Sequence, residues 1–308
     1  MTLLWLLAGL GLIVLGADWL VEGASSIARK AGVSEFVIGL TIVGFGTSCP
    51  ELVVSLTGAF EGNADIAVGN VIGSNIFNVL FILGLTSLIR PVSMTAGNRR
   101  LDIPLTLCVT VFLLCLGWDG SLTRMEGIIS LFAFSAYLFF SFRNGKAASR
   151  EEGERARRKL GISILLVAAG LTGLIVGGNL FVDSAVDLAR QLGVSDKFIA
   201  VTILAGGTSL PELATSIAAA LKGKDQLALG NILGSNVFNI LLILGSAAVI
   251  TPLSFSSVTL ADAIVLTLSS ALLLLWAYTG RKERVDRWDG IVMLLVFGAY
   301  YYLLFKNL

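Results

Sequence analysis

Long apolar runs separated by short polar breaks dominate the chain. A helix needs roughly 20 apolar residues to cross the hydrocarbon of a bilayer. Ten runs meet that need, at 3–23, 36–60, 65–88, 101–118, 125–142, 160–183, 197–221, 226–249, 258–279 and 288–305. Three breaks are sharply polar: Arg90–Arg100, Arg143–Lys159 and Gly280–Arg287. The boundaries near 60–65 and 221–226 are softer, so eight or nine spans are the alternatives to ten. The first run begins at residue 3 without a basic stretch before it or a small-residue cleavage site after it, and reads as a permanent span.

The basic residues test this layout. With the amino terminus outside, the loops after odd-numbered spans are cytoplasmic and hold 18 Lys and Arg, among them Arg29, Arg99, Arg150, Lys222 and Arg284. Only 4 fall outside: Arg124, Arg190, Lys197 and Lys306. That asymmetry is the positive-inside signature, and it supports both the span count and the orientation. The expected location is therefore the plasma (inner) membrane, with both termini extracytoplasmic and the central linker cytoplasmic. Composition agrees: 56% of the residues are hydrophobic and 14% charged, whereas soluble domains are about 25% charged. A net charge of +1 gives no reason to expect nucleic acid as a partner. The absence of His excludes Ser-His and Cys-His catalysis and imidazole metal ligation. Cys49, Cys108 and Cys115 form no CxxC pair and read as free thiols in apolar runs.

The chain repeats itself. Shifted by 161 residues, Gly32–Pro91 falls on Gly193–Pro252 with 29 of 60 positions identical. GTSCPEL at 46–52 meets GTSLPEL at 207–213, and GNVIGSNIFNVLFILG at 69–84 meets GNILGSNVFNILLILG at 230–245. Shared apolar bias would not place Pro, Glu, Asn and Gly at the same positions. Each copy carries five spans, an odd number, so the second enters the membrane from the opposite side. The expected fold is all-α and integral to the membrane: two inverted five-helix repeats, 1–142 and 160–308, joined by a charged cytoplasmic linker at 143–159. Inverted repeats with interrupted helices are the architecture of many secondary transporters, with substrate near the midplane where the copies meet.

Both matched segments carry chemistry at membrane depth. Pro50 and Pro211 each remove a backbone N–H and clash with the carbonyl four residues earlier, on Gly46 and Gly207. Helix breaks are expected there, each followed at once by a carboxylate, Glu51 or Glu212. A carboxylate at the bilayer centre costs roughly 2.5–3.5 kcal/mol even on the lenient insertion scale, so two in matched positions point to function. Thr47, Ser48, Thr208 and Ser209 add hydroxyls, and Asn78 and Asn239 add amide carbonyls. Ser74 and Asn78 share a helix face, as do Ser235 and Asn239. Freed backbone carbonyls are expected near Gly44 and Ala205. Asn75 and Asn236 lie off that face and could serve as interhelical glue. Every donor but Cys49 is a hard oxygen, which suits Ca²⁺ with its 6–8 oxygen ligands, suits dehydrated Na⁺, and suits soft metals or Mg²⁺ poorly.

GTSCPE, GTSLPE and the two GN-x-x-GSN-x-x-N segments closely resemble the alpha repeats of the sodium/calcium exchanger family, within the cation/calcium exchanger superfamily. The resemblance covers the whole chain. It implies an antiporter exchanging Ca²⁺ for Na⁺ by alternating access, with both ions as substrates, no cofactor and no enzymatic activity. It implies that Glu51 and Glu212 are the main Ca²⁺ ligands, joined by Thr47, Ser48, Ser74 and Asn78 from one repeat and Thr208, Ser209, Ser235 and Asn239 from the other. It implies that spans one and six slide against a core. Potassium-dependent relatives resemble a pattern with Asp where this chain has Asn239, so K⁺ co-transport is not expected. A monomer holds both repeats and should suffice for transport. The alternative is a proton-coupled exchanger of Ca²⁺ or another divalent cation, since the same carboxylates could load protons. Asp18, Glu22, Asp102, Asp183, Asp187 and Asp262 take structural readings, near interfaces, along an access path or at helix starts.

Overall fold

The computed structural model describes residues 2–62, 64–148, 159–194, 203, 205–279 and 283–307. It is almost wholly helical. We label the helices α1 (Thr2–Ala31), α2 (Glu35–Thr47), α3 (Cys49–Phe60), α4 (Asp65–Ile89), α5 (Asn98–Asp119), α6 (Arg124–Ala148), α7 (Leu160–Gln191), α8 (Ala205–Gly207), α9 (Leu210–Leu221), α10 (Asp225–Ile250), α11 (Leu260–Thr279) and α12 (Arg287–Asn307). Among the described residues, eight helices are long and apolar enough to cross a membrane, and α2 with α3 forms a ninth such span bent by 48°. The expected span at 197–221 is described only in part, as α8 and α9; residues 197–202 and 204 lie outside the described set. Of the expected linker at 143–159, residues 143–148 continue α6 and 149–158 lie outside it as well.

Two helices outrun their apolar patterns. The first and sixth runs end at 23 and 183, yet α1 has 30 residues and α7 has 32. At 1.5 Å per residue each is about 45 Å long, against about 30 Å of hydrocarbon. Helical hydrogen bonding does not need apolar side chains, so the polar tails stay helical until a residue can leave the right-handed region. Gly32 (φ 63°) and Gly193 (φ 78°) are those residues. Val33 and Val194 then return their N–H groups to the carbonyls of Ala28 and Ala189, both at 3.0 Å, closing each helix with a Schellman-type cap.

The chain folds as two compact units, and neither is a sequence repeat. The first comprises Met1–Pro50 and Phe142–Asn231. Its centre is an antiparallel pair, α1 against α7, joined by small residues seven apart. An added Cβ at Gly9 would lie 2.8 Å from the Gly177 carbonyl oxygen, at Gly16 2.7 Å from that of Gly170, and at Gly23 2.7 Å from that of Ser163. The two backbones therefore touch, and close approach through small residues is a main source of helix association in lipid. The Ser163 hydroxyl also donates to Ser26 Oγ at 2.8 Å. The acidic residues of α1 have partners here: Lys222, at the end of α9, lies 2.5 Å from Asp18 and 3.5 Å from Glu22. Ser34 caps α2 by accepting the Val37 N–H.

The second unit comprises Glu51–Ser141 and Ile232–Leu308. Two short antiparallel ladders join loops of opposite repeats: β1 (Val92–Ser93) with β4 (Arg284–Val285), and β2 (Ser121–Leu122) with β3 (Leu253–Ser254). Asp262 accepts the Thr259 N–H at 2.8 Å at the start of α11. Asp102 sits one turn inside α5 instead, where it accepts from Asn98 at 3.0 Å.

The duplication extends to backbone geometry. α3 and α9 match residue for residue under the 161-residue shift. So do the π-helical stretches inside α4 and α10, Phe77–Leu83 and Phe238–Leu244. No Pro occurs in either stretch. A π-helix is rare and often marks a functional position, and here it opens one residue before Asn78 and Asn239.

Candidate ion-binding residues

The break between α2 and α3 forms as the proline rule requires. α2 ends at Thr47, Ser48 leaves helical geometry (φ −82°, ψ 8°), and α3 starts at Cys49. Ser209 takes the same conformation (φ −89°, ψ 9°) immediately before α9. Each carboxylate thus sits in the first turn of a helix, where the N-terminal dipole favours negative charge. The Gly44 carbonyl, expected to be freed by the break, instead accepts the Ser48 N–H at 3.1 Å and lies 3.4 Å from the Thr47 hydroxyl, because the last turn of α2 still closes across Ser48. Ala205 opens the single-turn helix α8.

In the first unit, Thr47, Ser48, Ser209 and Glu212 are buried and Thr208 is half-buried. The Ser48 hydroxyl donates to Glu212 Oε1 at 2.9 Å, so a residue of the first repeat holds the carboxylate of the second. Asn231 braces the same helix: its amide donates to the Glu212 carbonyl at 3.3 Å and to Ser216 Oγ at 3.0 Å. Its Oδ1 accepts the Thr47 hydroxyl at 3.1 Å. Thr208 Oγ1 has no hydrogen-bond partner among the described residues.

The second unit reproduces this brace around Glu51, which is fully buried. Asn70 donates to the Glu51 carbonyl at 3.3 Å and to Ser55 Oγ at 3.0 Å, the same distances as in the other copy. Ser74, Asn78, Ser235 and Asn239 are all buried in this unit. Asn78 donates to Asn236 Oδ1 and Asn239 to Asn75 Oδ1, both at 3.0 Å. Ser74 Oγ, Asn78 Oδ1 and Asn239 Oδ1 have no hydrogen-bond partner among the described residues.

Buried polar oxygens are ordinarily satisfied, and each one that is not needs a physical reason. Here four such oxygens belong to the residues that sequence reasoning selected: Thr208, Ser74, Asn78 and Asn239. In each unit these oxygens accompany a buried carboxylate, Glu212 in the first and Glu51 in the second, and hard oxygens of this kind are the ligands that Ca²⁺ takes. Among the described residues there is no cluster of three His, Cys, Asp or Glu side chains. Sequence reasoning passed over the bracing residues Asn70, Asn231, Ser55 and Ser216. The signal was present, because all four are identical across the repeats.

The family model described as sodium/calcium exchanger protein matches residues 1–143 and 162–306. The chain is 39% identical to the inner membrane protein YrbG of Escherichia coli over 80% of this chain and 79% of that protein. It is 32% identical to the sodium/calcium exchanger MaX1 of Methanosarcina acetivorans, over 97% of each. It is also similar to a solved structure of the sodium-calcium exchanger NCX_Mj soaked with zero Na⁺ and Ca²⁺. The TM-score is 0.87 at 34% identity, covering 100% of this chain and 99% of that one.

Proposed function

Because this chain belongs to the sodium/calcium exchanger family, and so is a multi-pass cation antiporter rather than an enzyme, we propose that it exchanges Ca²⁺ for Na⁺ by alternating access. The observation that carries this reading is the set of buried oxygens left without hydrogen-bond partners among the described residues: Ser74 Oγ, Asn78 Oδ1, Thr208 Oγ1 and Asn239 Oδ1. Glu51 and Glu212 supply two negative charges, which one Ca²⁺ neutralises. Thr47, Ser48, Ser209 and Ser235, with the carbonyl of Ala205, complete the oxygen supply. The same oxygens serve Na⁺, and competition for shared ligands links the two fluxes. Neutral hydroxyls and amides favour Na⁺ over H⁺ as the coupling ion, because they can coordinate a metal cation but do not load protons near neutral pH.

We assign the chain to the plasma or inner membrane, with both termini outside, on the distribution of Lys and Arg. The functional halves are the repeats 1–142 and 160–308, joined through 143–159, and one chain contains both.

The test is Ca²⁺ uptake into proteoliposomes under two alternative gradients. An outward Na⁺ gradient at equal pH should drive accumulation, and a pH gradient without Na⁺ should not. Accumulation driven by pH alone would replace Na⁺ with H⁺ as the coupling ion.

A further inference from the structure

Four asparagines in the second unit form a closed pattern across the two repeats. Asn75 donates its amide to the backbone carbonyl of Asn236 at 3.2 Å, and Asn236 donates to the backbone carbonyl of Asn75 at 3.5 Å. A backbone carbonyl can only accept. The Nδ2 atoms of Asn75 and Asn236 must therefore face those carbonyls, which turns each Oδ1 the other way. Asn75 Oδ1 can only accept in turn, so Asn239 must present Nδ2 to it, at 3.0 Å. Asn236 Oδ1 imposes the same on Asn78, also at 3.0 Å. With their amide nitrogens committed, Asn78 and Asn239 must direct Oδ1 elsewhere, and these are two of the buried oxygens without a hydrogen-bond partner among the described residues. All four side chains are buried, so water does not offer an alternative orientation.

We infer that Asn75 and Asn236 are positioning residues that lock the amides of Asn239 and Asn78, respectively, with oxygen rather than nitrogen available to the transported cation. An asparagine free to rotate could present its NH₂ group, which repels a cation. The clasp removes that orientation before the ion arrives. It also explains why the two residues off the ligand-bearing face are identical in both repeats. Each amide is controlled by the opposite repeat, so the pairs are Asn75 with Asn239 and Asn236 with Asn78. The inference rests on the proposal that Asn78 and Asn239 are ligands.

The experiment is equilibrium binding of radioactive Ca²⁺ to the purified full-length protein in Na⁺-free detergent, arranged as double-mutant cycles. Asn75→Ala should weaken Ca²⁺ binding about 10-fold or more, the usual effect of losing an outer-shell partner of a metal ligand. Once Asn239→Ala has been made, adding Asn75→Ala should weaken binding no further. Added to Asn78→Ala, it should weaken binding by its full factor. A merely structural role would lower the melting temperature without this selective coupling. If Asn75→Ala does not yield folded protein, Asn236→Ala carries the mirror test, non-additive with Asn78→Ala and additive with Asn239→Ala. Unchanged affinity, or equal additivity in both cycles, would overturn the positioning role. Wild-type protein that binds no Ca²⁺ would instead overturn the ligand assignment on which it rests.

Discussion

Replacing Glu212 with Gln should lower Ca²⁺ exchange by about 30-fold or more while leaving the protein folded. The side chain is fully buried, and its Oε1 accepts the Ser48 hydroxyl at 2.9 Å. Gln keeps the volume and an oxygen able to accept that hydroxyl, so the local packing survives. What it loses is the charge. Removing one partner of a buried charge pair costs about 2–5 kcal/mol, and 1.4 kcal/mol is about a factor of ten. The same substitution at Glu51 should be as severe, since that residue has the same burial and the same Asn–Ser brace on its backbone carbonyl. Flux in proteoliposomes, compared with melting temperature in detergent, separates loss of the ion from loss of the fold. Exchange at near wild-type rates in either variant would remove that carboxylate from the ligand set.

The second large effect is expected far from the carboxylates, at the junction of α1 and α7. Gly16→Val should lower the melting temperature markedly, whereas Gly11→Val on the same helix should not. A Cβ at position 16 would lie 2.7 Å from the Gly170 carbonyl oxygen and 2.8 Å from the Leu174 nitrogen. Those are backbone atoms and cannot swing aside, so the helices must separate. Overpacking of this kind costs about 1–3 kcal/mol, and every contact along the seven-residue stripe weakens with it. At Gly11 an added Cβ meets nothing within 4 Å. Equal melting temperatures for the two variants would show that the close backbone contact does not hold the pair.

Much of this was legible in the sequence because the duplication amplifies it. Apolar length gave the spans, and identity at a fixed shift gave the repeat. Pro50 and Pro211 gave the helix breaks through local sterics alone. The structure also brings Ser48 of one repeat onto Glu212 of the other, a pairing that the motif alone does not specify. Less was legible where the cause is tertiary. The π-helical stretches carry no breaker residue, so nothing local announces them. Gly9, Gly16 and Gly23 show a seven-residue spacing, but only the fold reveals that Gly177, Gly170 and Ser163 oppose them. The lengths of α1 and α7 were underread because hydropathy stops before helical hydrogen bonding does. Asn75 and Asn236 were visible as repeated residues, but their hydrogen-bond directions require knowing which carbonyls they meet.

Antiport requires that neither ion crosses without the other, and that is the claim to test first. Proteoliposomes containing the purified protein would be loaded with radioactive Na⁺ and diluted into medium free of both ions. External Ca²⁺ would then be added, with Ca²⁺ uptake followed in the same vesicles. The account predicts slow Na⁺ loss until Ca²⁺ arrives, then prompt Na⁺ efflux in step with Ca²⁺ entry, both abolished by Glu51→Gln. Ca²⁺ entry that leaves Na⁺ efflux unchanged would contradict it.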